Sequence, residues 1–336
     1  MENLPLGKLP AQLLEKVLSQ IPIKDNAVFL GPGTGLDCAV IDIGDQYMVV
    51  KSDPISLTAD NIGMYAVDIN VNDISTTGAY PKWMMVTLLL PENKTTQTTI
   101  ENIFNQLIQR SQKFGITIIG GHTEITKGIS NSILSATLIG LVDKDKLITP
   151  KGVQIGDKLF ITKEIPIETI SILANDFSDT LEPHLSKDEL ALAKSYLTQP
   201  GISIYQEASL LRNGYGVTAM HDPTEGGISS ALWELSTASN KILHIDQNKI
   251  PISKLSRKIC NLFDINPLNS ISSGSLLFTA PPEKTNEIID DLAQINIRAT
   301  EIGFVYSTGV GVYQIEENIK ELVPRPDRDE ITKIFG

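Results

Sequence analysis

The chain has 336 residues, of which 41% are hydrophobic and 20% charged, a globular composition and a length that one hydrophobic core does not ordinarily serve, so two domains are expected. A formal net charge of −12 without any Lys/Arg block excludes a protein built to grip nucleic acid, whose phosphates need clustered cations. Only Cys38 and Cys260 are present, which excludes a disulfide framework; no apolar run is long enough to span a bilayer and the N-terminus resembles no signal peptide, so a cytoplasmic protein without a membrane partner is expected.

Taken in order, apolar residues at Leu13, Leu14, Val17 and Leu18 after Pro10 predict a short helix over Leu9 to Leu18. The glycine loop Gly31-Pro32-Gly33-Thr34-Gly35 feeds a hairpin, Cys38 to Ile43 and Gln46 to Lys51, turned at Gly44-Asp45. Glycine loops cradle phosphates through bare backbone N–H groups, yet this one fits neither GxxxxGK[ST] nor GxGxxG, and a plain surface loop explains it equally. Asp53 falls at the end of the second strand. Ile62 to Ile74 has helical spacing and closes near Gly78; on it Asn70 and Asp73 share a face. Trp83 to Leu90 reads as a buried strand, Thr99 to Phe114 as an amphipathic helix and Ile116 to Ile119 as a short buried strand opening into a glycine turn, Gly120-Gly121-His122-Thr123-Glu124. His122 there is a switchable acid or base, or simply a hydrogen-bonded turn residue. Ser132 to Val142 is a further strand.

The charged, Pro- and Gly-bearing stretch Asp143 to Gly156 reads as the domain boundary. Beyond it, strands are expected over Asp157 to Thr162, Val217 to Met220, Leu243 to Ile245 and Leu276 to Ala280, with helices over Ile167 to Phe177, Leu190 to Leu197, Ile202 to Leu211, Lys254 to Phe263 and Lys284 to Gln294. Ala299 to Tyr306 and Val310 to Ile315 are expected to pair as a hairpin about Ser307-Thr308-Gly309. Strands and helices mixed in both halves predict two α+β domains.

The stretch with most chemistry is His221-Asp222-Pro223-Thr224-Glu225-Gly226-Gly227, which reads as strand, glycine turn and helix start. Asp222 can hold Mg²⁺ through oxygen while the helix N-terminus offers donors to an anion. Simple helix capping by Thr224 accounts for the same residues.

With these stretches located, the chain resembles the AIR synthase superfamily, and within it the hydrogenase-maturation (HypE-like) branch. Gly35-Leu36-Asp37-Cys38-Ala39-Val40 is similar to the family's Gly-Asp-Asp-Ala-Ala-Val, and Ser52-Asp53 to its Thr-Asp. Val71-Asn72-Asp73-Ile74-Ser75-Thr76-Thr77-Gly78-Ala79 resembles Val-Asn-Asp-Leu-Ala-x-x-Gly-Ala, Gly120 to Glu124 its Gly-Asp-Thr turn, and the stretch around Asp222 its Arg-Asp-Pro-Thr-Arg-Gly-Gly. The resemblance runs in order over nearly the whole chain. It implies a two-domain α+β fold: residues 1–150 bind ATP and lend strands to a dimeric β-barrel, and residues 151–336 form the C-terminal domain.

The resemblance further implies ATP and Mg²⁺ as cofactors, bound between the domains. Asp37, Asp53, Asp73 and Asp222 would be the metal ligands, supported by Asn72; Gly31, Gly33, Gly35, Thr224, Gly226 and Gly227 would contact the nucleotide; Asp222 and His122 would be catalytic. The implied activity is phosphorylation of an amide-type or related oxygen on an unidentified acceptor, either a small molecule or a partner maturation protein. Two alternatives stay open: a nucleotide-binding assembly factor without turnover, and a small-molecule kinase similar to thiamine-monophosphate kinase. Four positions depart from the family. His122 stands for an aspartate, Cys38 for an alanine and Glu225 for an arginine, and Pro324-Arg325-Pro326 is not followed by the cysteine on which the maturation protein builds its product.

Overall fold

The structure is a computed structural model and describes residues 4, 6–56, 61–316 and 319–335; Gly336 lies outside them. The described residues form two compact units. One gathers those of Met1–Lys24, Pro32–Leu36 and Ile148–Gly336, the other those of Asp25–Gly31 and Asp37–Leu147. Among the described residues no helix is long and apolar enough to cross a membrane.

Helix α1 (Ala11–Leu18) belongs to the larger unit. The smaller unit is a sheet of β1 (Val28–Leu30), β2 (Ala39–Asp42), β3 (Gln46–Ile55), β4 (Tyr80–Pro91), β5 (Thr117–Thr126) and β6 (Ile133–Asp143), with helices α2 (Ile62–Thr76) and α3 (Gln97–Lys113). The strand order is β1-β2-β3-β6-β4-β5, and only β4 and β5 run parallel. Helix α2 is buried along almost its whole length because the sheet covers one side and α3 another. Its polar residues therefore need partners of their own. Asp68, fully buried, takes both carboxylate oxygens to Arg110 Nε on α3 at 2.8 Å.

Two expectations fail in this sheet for one reason. Strand β4 is buried on one face only: Met84, Val86, Leu88 and Leu90 point inward while Trp83 and Met85 are exposed. The segment Gly120 to Glu124 is not a turn but the middle of β5, extended against β4 with Gly121 opposite Val86 and His122 opposite Thr87. Strand β5 is an edge strand, paired on one side, and Ile119 and Ile125 are exposed, so apolar content alone misjudged its burial.

In the larger unit the strands are β7 (Lys158–Thr162), β8 (Ala219–His221), β9 (Lys241–Ile245), β10 (Leu277–Ala280), β11 (Ala299–Thr308), β12 (Gly311–Glu316) and β13 (Ile319–Leu322), in the order β13-β12-β9-β11-β7-β10-β8. Its later helices are α4 (Ile167–Asp176), α5 (Ser178–Leu181), α6 (Lys187–Lys194), α7 (Tyr205–Leu211), α8 (Gly227–Ser239), α9 (Lys254–Leu262), α10 (Thr285–Gln294) and α11 (Thr332–Phe335). The central strands β7 and β10 are buried at almost every position because both faces are covered. Leu159, Ile161 and Leu277 join a core with Ile228, Leu232 and Leu235 of α8. Phe160 and Phe278, stacked at 4.9 Å, join a second core with Ala208 and Leu211 of α7 and Ile288 and Leu292 of α10.

The expected hairpin of β11 with β12 does not form. Strand β9 lies between them, with Leu243 opposite Val305 of antiparallel β11 and Val312 of parallel β12. The one polar side chain in the middle of β9, His244, is buried with its ring stacked on Tyr306 at 4.1 Å, so the strand can occupy an interior place.

The buried Asp68–Arg110 pair gives a test of the smaller unit. Arg110→Met removes the guanidinium from a carboxylate that stays buried and should cost about 3–5 kcal/mol, read as a lower urea midpoint. A loss below about 1 kcal/mol would mean that the pair behaves as a surface bridge.

Candidate functional site

In the smaller unit the candidate residues converge on β3 and α2. Lys51 and Asp53 are two apart on a strand and so lie on one face. Lys51 Nζ stands 3.3 Å from Asp53 Oδ2 and 3.1 Å from Asp73 Oδ2 on α2. The lysine side chain is 19% exposed and that of Asp73 only 4%. Burial works against the ammonium, but the carboxylates of Asp73, Asp53 and Asp37 outweigh it and hold the lysine well above its ordinary pKa. Asn72 is buried on the same helix. Cys38 is buried and its Sγ donates to the Asp73 carbonyl at 3.3 Å, a packing role rather than an exposed nucleophile.

In the larger unit, β8 runs into the turn that starts α8, as the sequence predicts, but the cap differs. Gly226, in the left-handed conformation, is the N-cap, and Thr224 contributes its carbonyl to the Gly227 N–H at 2.9 Å rather than a capping hydroxyl. Only glycine fits at 227: its φ is +60°, and a Cβ would lie 2.6 Å from the carbonyls of Leu268 and Ser270. Asp222 is buried in this turn. Beside it His221 Nε2 lies 3.0 Å from Glu234 Oε2 of α8, and Lys8 Nζ lies 3.2 Å from Glu234 Oε1. Burial would raise the Glu234 carboxyl, but His221 and Lys8 together bring it down to about 2.

The same turn is braced from below by buried acids. The Gly226 N–H donates to Asp329 Oδ2 at 2.6 Å and the Ile331 N–H to its Oδ1 at 2.8 Å. Burial raises Asp329 to about 6 in spite of these donors. Glu168 on α4 is raised to about 8, chiefly by burial, with Ser273 pulling it down and Glu225 and Asp329 adding to the rise.

The remaining expected residues are more scattered. Gly31 belongs to the smaller unit and Gly33 and Gly35 to the larger. Gly35, at φ +73°, sits so close to α8 that a Cβ would meet the Glu234 carbonyl at 2.6 Å. His122 is exposed on β5 with Nε2 3.3 Å from Glu124 Oε2. By register it lies opposite Thr87, then Ser135, then Pro54, three strand spacings or about 14 Å from the part of β3 that carries Asp53. The structure does not bring it to Asp53 and Asp73 within the unit.

The donors fit a hard divalent cation. They are carboxylate oxygens, the ligand type Mg²⁺ takes, and Asp53 and Asp73 already share a cation in the Lys51 ammonium. Lys51, Glu234, Lys8, Glu168 and Asp329 escaped the sequence reading. Lys51 alone had a local signal, standing two residues before Asp53 on a predicted strand; the others are joined only by long-range folding.

The domain described as AIR synthase related protein, N-terminal domain, matches residues 35–142, and AIR synthase related protein, C-terminal domain, matches residues 154–316. A Methanocaldococcus jannaschii protein provisionally named a hydrogenase expression/formation protein is 28% identical over 98% of this chain and 97% of its own. Thiamine-monophosphate kinase of Haemophilus influenzae is 25% identical over 94% of this chain and 92% of its own. Among solved structures, hydrogenase maturation protein HypE in complex with ATP superposes with a TM-score of 0.71 at 18% identity, covering 95% of this chain and 92% of that one.

Glu168 yields a pH test. Its folded pKa of about 8 exceeds its ordinary 4.5, so the unfolded chain releases this proton first and the group lowers stability as pH rises from about 4.5 to about 8, with no further change above. The slope it contributes is at most about 1.4 kcal/mol per pH unit. Glu168→Gln should flatten urea stability between pH 5 and 8 relative to the parent; identical slopes would show that Glu168 titrates normally.

Proposed function

The chain belongs to the AIR synthase-related family, and on that premise we propose that it binds ATP with Mg²⁺ and phosphorylates an oxygen of an acceptor, activating it to leave. The observation that carries the reading is the cation already held by Asp53 and Asp73: carboxylates gathered this closely repel one another unless positive charge lies among them. Asp37, Asp53, Asp73 and Asp222 are the proposed metal ligands, with Asn72 supporting them. Mg²⁺, when bound, supplies charge neutralisation to the triphosphate. The residues of the chain supply position: the α8 N-terminus presents a positive dipole end to phosphate oxygens, with Thr224, Gly226 and Gly227 forming its approach. Gly31, Gly33 and Gly35 are assigned to the nucleotide, and His122 to proton transfer with the acceptor. Catalysis of this kind is placement plus charge stabilisation.

The names of two relatives point to two kinds of acceptor. The thiamine-monophosphate kinase likeness favours a small-molecule acceptor, and the hydrogenase expression/formation likeness favours a maturation partner. A reading in which the protein binds nucleotide without turning it over is favoured by the cysteines: Cys38 and Cys260 are both buried, and burial pushes the Cys260 thiol up to about 12, so neither is placed to carry a modified group. ADP release that depends on one added compound supports the enzyme; binding without release supports the assembly factor. We also propose a homodimer, since β5 is an edge strand with Ile119 and Ile125 exposed beside Trp83 and Met85 of β4, an edge that proteins do not usually leave open.

ATP with Mg²⁺ should raise the thermal midpoint, because a ligand of the folded state stabilises it; ATP with EDTA should not. Asp222→Asn should weaken Mg²⁺-dependent ATP binding by about 2 kcal/mol, roughly thirtyfold in Kd, while Asp246→Asn, at a short helix cap, should leave it unchanged. Equal binding by both variants would remove Asp222 from the site. Light scattering at micromolar concentration should return the mass of a dimer, and a monomer mass would reject the proposed pairing through β5.

A further inference from the structure

Lys51 Nζ pairs with both Asp53 and Asp73, two of the carboxylates proposed above to hold metal. A divalent ion bridging those carboxylates needs each oxygen at about 2.1 Å for Mg²⁺. The ammonium already lies 3.3 Å and 3.1 Å from the two Oδ2 atoms, so it fills the space between them and meets an incoming cation with like charge. Several features fix it there. Lys51 is in the middle of β3, paired with β6 at Leu138, so its backbone cannot withdraw. Its side chain is four-fifths covered, Asp73 sits on a helix buried along almost its whole length, and Asp37 of the same unit adds a third attracting charge.

We propose that Lys51 is a built-in cation occupying the Asp53–Asp73 bridge, so that this chain takes up one fewer divalent ion than its carboxylates would otherwise hold. The inference rests on the Mg²⁺ reading given above and narrows it, since the position shared by Asp53 and Asp73 is taken by the ammonium rather than by an ion. Lys51 then preserves the geometry of the two carboxylates without metal. A tethered ammonium cannot exchange with solvent, so part of the positive charge facing a bound triphosphate is permanent.

The test is Mn²⁺ binding to the full chain, read from the electron paramagnetic resonance signal of the free ion, with and without a non-hydrolysable ATP analogue. Lys51→Met should bind one more Mn²⁺ per chain than the parent, or bind Mn²⁺ at least tenfold more tightly. Lys51→Gln, whose amide still donates to a carboxylate, should show the same gain if the methionine variant does not fold. Lys51→Arg keeps the charge and should match the parent, and Lys51→Gln combined with Asp73→Asn should lose what Lys51→Gln gained. Equal Mn²⁺ number and affinity in the parent and the neutral variants would overturn the proposal. If the neutral variants gain the ion while the analogue changes Mn²⁺ binding in none of the proteins, the Lys51 inference stands and the nucleotide reading falls; if the analogue adds Mn²⁺ but the neutral variants equal the parent, the reverse holds.

Discussion

Buried carboxylate must be matched by cation, and this requirement governs both units. In the smaller one Asp68 is answered by Arg110 across two helices, and Asp53 and Asp73 by Lys51 across helix and strand. In the larger one Glu234 is answered by Lys8 from the N-terminal segment, with His221 on its other oxygen. Where burial outweighs the donors the acid is pushed up, Asp329 to about 6 and Glu168 to about 8. Glu234 is thus ionised against its partners and Glu168 held neutral by its surroundings, and the Lys51 cluster is of the paired kind.

Placement of these charges follows from the elements that bear them. A strand gives Lys51 and Asp53 a common face, and a helix covered on two sides brings Asp73 to meet them. At the start of α8 a pair of left-handed glycines, the second crowded by the carbonyls of Leu268 and Ser270, fixes the turn that carries Asp222. Asp329 accepts from the Gly226 N–H and thereby ties that turn to a distant part of the chain. The motif residues are small and polar because the backbone must come close; the rigidity comes from neighbours outside the motif.

Much of this was legible in the sequence. Period-two and helical spacing located most strands and helices of both units, and the strand, glycine turn and helix around Asp222 read correctly because its signals are local. Three things were not legible. The burial of β4 and β5 depends on which face another element covers, and a run such as Ile116 to Ile119 says only that it is apolar. The separation of β11 from β12 depends on β9, whose His244 hides its interior character until Tyr306 stacks on it. The partners of Glu234, Glu168 and Asp329 lie far along the chain, and charge in a sequence carries no address. Thr224 was the natural N-cap by residue type, yet Gly226 took the place because the turn needs a left-handed residue there.

The insertion of β9 between β11 and β12 bears on how the larger unit is assembled. Strands adjacent in the chain can pair locally, as β12 and β13 do, whereas β12 joins the rest of the sheet only after β9, from much earlier in the sequence, has been brought alongside. Loop closure of that span precedes any gain from the pairing. The last strands of the sheet, β12 and then β13 on its outer edge, therefore complete the unit rather than start it. A nascent chain that has already made β7 to β11 would still expose one side of β9, an open edge waiting for the residues that follow.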